Sequence, residues 1–94
     1  MSPVPEDEMQ AALASLPGWA LQDGALVKEF TFPSFLAAVG FVNTLAAIAE
    51  AANHHPDLDI RYDKVRVALV THSAGAITDK DLDMARRVEL EAPS

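Results

Sequence analysis

Residues 57–62 and 64–71, "DLDIRY" and "KVRVALVT", alternate polar and apolar side chains with a period of two. Leu58, Ile60 and Tyr62 share one face of the first run, and Val65, Val67 and Leu69 share one face of the second. That period belongs to strands, and two such runs across a short polar break read as a hairpin. A hairpin makes an antiparallel sheet, which leaves one face for helices to cover. The rest of the chain fits that frame. Residues 5–16 read as a short helix, with Pro5 at its first position, Glu6, Asp7 and Glu8 complementing the dipole, and Met9, Ala12, Leu13 and Leu16 as its stripe. Pro17 and Gly18 stop it. "WALQDGALVKEFTF" follows as another hairpin, turning at Asp23 and Gly24, with Trp19 in the core. Ser34 is placed to cap a long second helix that ends near Asn53, before Pro56. Thr78 and Asp81 form a capping box for a third helix, with Leu82, Ala85 and Val88 inward. The order helix-strand-strand-helix-strand-strand-helix gives an α+β fold. Its four-stranded antiparallel sheet carries the helices on one face, in a single domain over residues 1–94.

From Phe35 to Ala49 the second helix is apolar almost all round, around Phe41, Leu45 and Ile48. A chain of 94 residues has few elements to cover every side of it, so a homo-oligomer is expected. Asn43, Thr44 and Glu50 interrupt the stretch, and it falls short of a membrane span. Seven basic against fourteen acidic residues give a net charge of -7 with no basic patch, which argues against nucleic acid as a partner. The absence of cysteine excludes a disulfide framework or thiol nucleophile and fits a reducing cytoplasm. The acidic start "MSPVPEDEMQ" is no secretory signal.

All three histidines lie at the ends of one segment, "NHHPDLDIRYDKVRVALVTH". A turn at Asp63 and Lys64 would set Tyr62 opposite Val65, Ile60 opposite Val67 and Leu58 opposite Leu69. Continued, that register brings His55 opposite His72, with Cβ atoms about 4.5–5.5 Å apart. His54 arrives from the end of the long helix, with Glu50 four residues earlier on the same face. A helix C-terminus and a carboxylate both suit a cationic imidazole acting as acid or donor. Each residue alone has a plain structural reading: a C-cap for His54, a surface pair for His55 and His72, a capping box for Asp81, a solvated helix residue for Glu50. Their convergence points to a site. Three histidines suit zinc, but no HxH or HxxxH spacing is present, so no metal is expected. General acid–base work on an organic molecule is the better fit.

These residues resemble the pterin-4a-carbinolamine dehydratases, also called dimerization cofactor proteins. The family pattern is an acidic residue, three residues, His-His-Pro, five residues, an aromatic, nine residues, His, eight residues, Asp. Glu50, His54, His55, Pro56, Tyr62, His72 and Asp81 meet it at every spacing. The similarity also covers Gly18-Trp19, "FTFPSF" and "GFVNTLAAIAEAANHHP", from about Leu16 to Val88. Leu58 and Asp59 depart from it where many relatives carry two aromatics, and Gly75-Ala76 replaces a frequent Gly-Gly.

The resemblance implies dehydration of 4a-hydroxytetrahydrobiopterin to quinonoid dihydropterin, in recycling of tetrahydrobiopterin for an aromatic amino-acid hydroxylase. No metal or other cofactor would be required. His54, His55 and His72 would be catalytic, with His54 the acid at the hydroxyl. Asn53, Pro56, Val70, Thr71 and Ser73 would bind the pterin, and Glu50 and Asp81 would support the histidines. The family also implies a dimer or tetramer. A non-catalytic binding, assembly or transcriptional cofactor role is the alternative.

Overall fold

The computed structural model describes residues 2–92. Its elements are α1 (Glu6–Ala14), β1 (Ala20–Gln22), β2 (Ala25–Thr31), α2 (Phe35–Ala52), β3 (Asp57–Arg61), β4 (Lys64–Leu69) and α3 (Asp79–Glu91). The strands form one antiparallel sheet in the order β1-β2-β4-β3, two hairpins joined through β2 and β4. Asp23 and Gly24 both take positive φ, 51° and 79°, as a two-residue hairpin turn between twisted strands requires. Ser34 Oγ accepts the Ala37 N–H at 3.1 Å and starts α2.

The helices share one face of the sheet. Leu26 and Phe30 of β2 and Val65, Val67 and Leu69 of β4 point into a core completed by Phe41 and Leu45 of α2 and Leu82, Ala85 and Val88 of α3. Val27 and Ala68, paired across β2 and β4, are buried on the opposite face. Trp19 is in the core, its indole N–H donating to Glu89 Oε1 at 2.7 Å. Pro5 is the cap of α1, one position before the helix proper.

Two expectations are corrected. Phe41 and Leu45 are buried in the protein's own core, 6% and 1% exposed, and Ile48 is partly buried against it. The uncovered side of α2 carries Leu36, Gly40, Asn43, Thr44 and Ala47 instead. A helix that is apolar on every side has no polar stripe to mark its outer face, so its sequence gives its existence but not its rotation. By length and composition α2 could cross a membrane, but Ala38, Phe41, Leu45 and Ala49 bind one side of it to this core.

The second correction is the register. The turn is Tyr62-Asp63, so Arg61 faces Lys64, Ile60 faces Val65 and Leu58 faces Val67. This lies two residues from the expected pairing. A two-residue shift keeps every side chain on its face, so alternation is silent about it. The Phe32 N–H donating to the Asp63 carbonyl at 2.8 Å ties the turn to the end of β2. Tyr62 takes the left-handed φ of 55° that this tight turn demands.

Upstream, Val4 N–H donates to the Ile77 carbonyl at 3.0 Å and draws α1 toward the start of α3. Glu8 there meets Asp79. The Asp79 charge, followed by desolvation and a hydrogen bond with Asp79, holds the Glu8 carboxyl above the ordinary carboxylate range, and Arg86 opposes this. A raised carboxyl favours the protonated form in the folded state, so its contribution is lost as pH rises through that raised range. Glu8→Gln is therefore expected to flatten the fall in stability between the carboxylate range and neutrality. Thermal unfolding of both proteins across that interval checks it; parallel profiles would contradict it.

Candidate active site

The end of α2 sets the site. Asn53 caps it at φ 50°, its N–H returning to the Ala49 and Glu50 carbonyls, and the His54 N–H donates to Ala49 O at 3.1 Å. That left-handed residue swings the chain off the helical path and sends His54 inward. Its Nε2–H donates to Asp81 Oδ1 at 2.6 Å, with the imidazole 11% exposed and the carboxylate fully buried. Asp81 Oδ2 accepts the Thr71 hydroxyl and the Thr78 N–H, both at 2.8 Å. Thr71 has one hydroxyl proton and gives it to Asp81, so Thr78 donates in their 2.7 Å contact. The capping box expected of Thr78 and Asp81 forms, and the same carboxylate holds His54. A buried carboxylate is tolerable when both of its oxygens have donors, as these do.

Glu50 does not serve His54. It accepts from His55 Nε2 at 2.5 Å, both side chains being largely exposed. The four-residue spacing applies only inside a helix, and His54 lies beyond the turn at Asn53. His55 does not oppose His72 either, because the observed register extended past Asp57 and Ala68 would meet Val70.

His72 reaches the site on a tight loop. Thr71 and Ala76 close it as an isolated bridge, Thr71 N–H donating to Ala76 O at 3.0 Å. Gly75 N–H donates to His72 O at 3.1 Å, with Gly75 at φ 64°, where a side chain would be strained. His72 Nε2 lies 3.8 Å from Asp57 Oδ2.

All three imidazoles line one open depression of about 330 Å³, together with Asn53, Val70, Thr71, Ser73 and Lys80. Pro56 is not among the residues that line it; it turns the chain into β3. Thr71 is 5% exposed and its hydroxyl is already engaged, so it lines the site while acting on Asp81. Asp57 and Lys80 lie outside the expected set. Lys80 does leave a trace in the sequence: a cation in the first turn of a helix opposes the dipole. Each imidazole thus has its own carboxylate: Asp81 for His54, Glu50 for His55, Asp57 for His72. The hydrogen bonds at His54 and His55 fix the orientation of those two rings and leave their second nitrogens for a bound molecule, while Asp57 stands beyond hydrogen-bond reach of His72. Among the described residues no three acidic or histidine side chains converge on a metal-sized point.

Residues 2–90 match the family model described as "Pterin 4 alpha carbinolamine dehydratase". A "Putative pterin-4-alpha-carbinolamine dehydratase" of Acidobacterium capsulatum is 49% identical over 81 residues, 86% of this chain and 88% of that protein. A Mycobacterium avium protein of the same name is 48% identical over 88 residues, 94% of each chain. A solved structure described as a transcriptional coactivator/pterin dehydratase from Brucella melitensis superposes with a TM-score of 0.92 at 37% identity, covering 98% of this chain and all of that one. Another, a pterin dehydratase-like protein identified as a RuBisCO assembly factor in the alpha-carboxysome, gives 0.67 at 25% identity over 81% and 88%.

Proposed function

The chain belongs to the pterin 4 alpha carbinolamine dehydratase family, and from that premise we propose that it dehydrates a 4a-hydroxytetrahydropterin to the quinonoid dihydropterin. The observation that carries the reading is the buried Asp81 carboxylate holding His54 at the rim of a depression shared with His55 and His72. Loss of water needs a proton delivered to the 4a-hydroxyl and a proton taken from a ring N–H. With Nε2–H committed to Asp81, a cationic His54 gives its Nδ1 proton to the departing hydroxyl and is left as the neutral ring in the same hydrogen bond. His55, oriented by Glu50, and His72, with the Asp57 carboxylate nearby, accept the ring proton and position the pterin with Asn53, Val70 and Ser73. Acid–base assistance of this kind contributes about 10²–10⁴-fold. No metal or organic cofactor enters the scheme.

The protein would serve an aromatic amino-acid hydroxylase by recycling its tetrahydropterin in the cytoplasm, a compartment that suits a chain without cysteine. The uncovered α2 face, with Leu36 80% and Phe35 52% exposed, supports a dimer or tetramer. Leu36→Glu is expected to shift sedimentation toward the 10.1 kDa protomer without loss of fold, since it puts a charge on that face. A wild-type protein sedimenting as a protomer at micromolar concentration would refute the association.

The same face supports a second reading, a binding or assembly role of the kind identified for the carboxysome protein. The complete histidine set is reason to prefer the enzyme. The deciding assay supplies the carbinolamine in situ from phenylalanine hydroxylase. Faster formation of quinonoid dihydropterin with added protein supports the dehydratase; a rate equal to the uncatalysed one leaves the binding reading.

A further inference from the structure

A second hollow, about 270 Å³, runs between α2 and α3 and shares His54 and Lys80 with the histidine depression. Ile48 and Ala52 of α2 and Met84 of α3 give it an apolar wall. Lys80 and Arg87, a cation at each end of two helical turns of α3, give it a charged one, Met84 lying between them on the same helical face. Neither cation has an ion-pair partner among the described residues. Asp83, the one carboxylate lining the hollow, is held by Arg86 Nη1 at 3.1 Å. Two unpaired cations facing one groove stand out in a chain of net charge -7.

We propose that this groove is the subsite for the substituent carried by the pterin ring, and that it selects substituents ending in an anion, carboxylate or phosphate. The inference rests on the dehydratase reading above. With the ring against the histidines, the groove is the open continuation past His54 and Lys80. Its apolar wall suits the stem of a substituent. Its two cations offer charge-assisted hydrogen bonds to an anionic end, which a neutral polyol would not need.

Calorimetric titration of three dihydropterins with a common ring tests it: 7,8-dihydrobiopterin with a neutral tail, 7,8-dihydroneopterin 3′-phosphate, and 7,8-dihydrofolate with a carboxylate tail. At least one anionic ligand is expected to bind about fivefold tighter than the neutral one, the scale of a solvent-screened ion pair. Arg87→Gln, an exposed substitution away from the histidines, should abolish that advantage and leave the neutral ligand's Kd unchanged. An advantage for only the phosphate or only the carboxylate identifies which anion the groove takes. Equal Kd values for all three, or an advantage that survives Arg87→Gln, would overturn the subsite while leaving the pterin reading intact. If none of the three binds, the pterin reading fails and the subsite falls with it.

Discussion

Asp81→Ala is expected to destabilise the protein by about 2–4 kcal/mol, lowering the unfolding midpoint by roughly 10–25 °C for a domain this small. A capping aspartate alone contributes about 0.5–2 kcal/mol. Asp81 does more than cap: it is fully buried and accepts from His54, Thr71 and Thr78 at once. Alanine leaves three donors without their acceptor, and the penalty for a stranded buried polar group is larger than the net gain from a made bond. Asp81→Asn separates the two roles. Its single carbonyl oxygen, placed at the Oδ2 position, can keep the cap and the Thr71 hydroxyl, but its amide then turns donor against donor toward His54. Asn is therefore expected to recover much of the stability and little of the activity. Urea unfolding of both variants checks this. A loss within about 0.5 kcal/mol for Asp81→Ala, the scale of an ordinary surface change, would contradict the network.

The second large effect is on turnover. His54→Ala is expected to lower kcat by about 10²–10⁴-fold with little change in KM, the signature of a proton donor used in the transition state. His72→Ala should lower kcat and raise KM together, because His72 lies on the open wall beside Asp57 and positions the ring as well as exchanging its proton. Glu50→Gln should act through His55, its observed partner, and spare His54. Circular dichroism must show native spectra for each variant before the kinetics are read.

The elements are legible in the sequence where local chemistry decides them. Asp23-Gly24, the Ser34 cap and the Thr78–Asp81 box each fix their backbone through groups a few residues away, so a short window of sequence contains the cause. The rest depends on distant contacts. The β3–β4 register turns on a bond from Phe32 to Asp63, and a two-residue slip leaves the alternation unchanged. The rotation of α2 is hidden by its uniform apolarity. The partner of His54 is hidden as well, because one left-handed residue, Asn53, breaks the helical spacing that points to Glu50. The seven-position spacing identifies the histidines and Asp81 as a set, since fixed gaps carry across a family even when the geometry behind them is unread. Asp57 and Lys80 belong to no such spacing; the fold puts Lys80 in the wall of the depression and Asp57 beside His72.

The rate of quinonoid dihydropterin formation from enzymatically generated 4a-hydroxytetrahydropterin bears most directly on the histidine depression, measured with wild-type protein and with folded His54→Ala and His72→Ala. Acceleration is expected from the wild type, with a loss of at least about 10²-fold in kcat for His54→Ala and a combined kcat and KM defect for His72→Ala. Wild-type kcat and KM in both variants would show instead that the reaction does not occur in that depression.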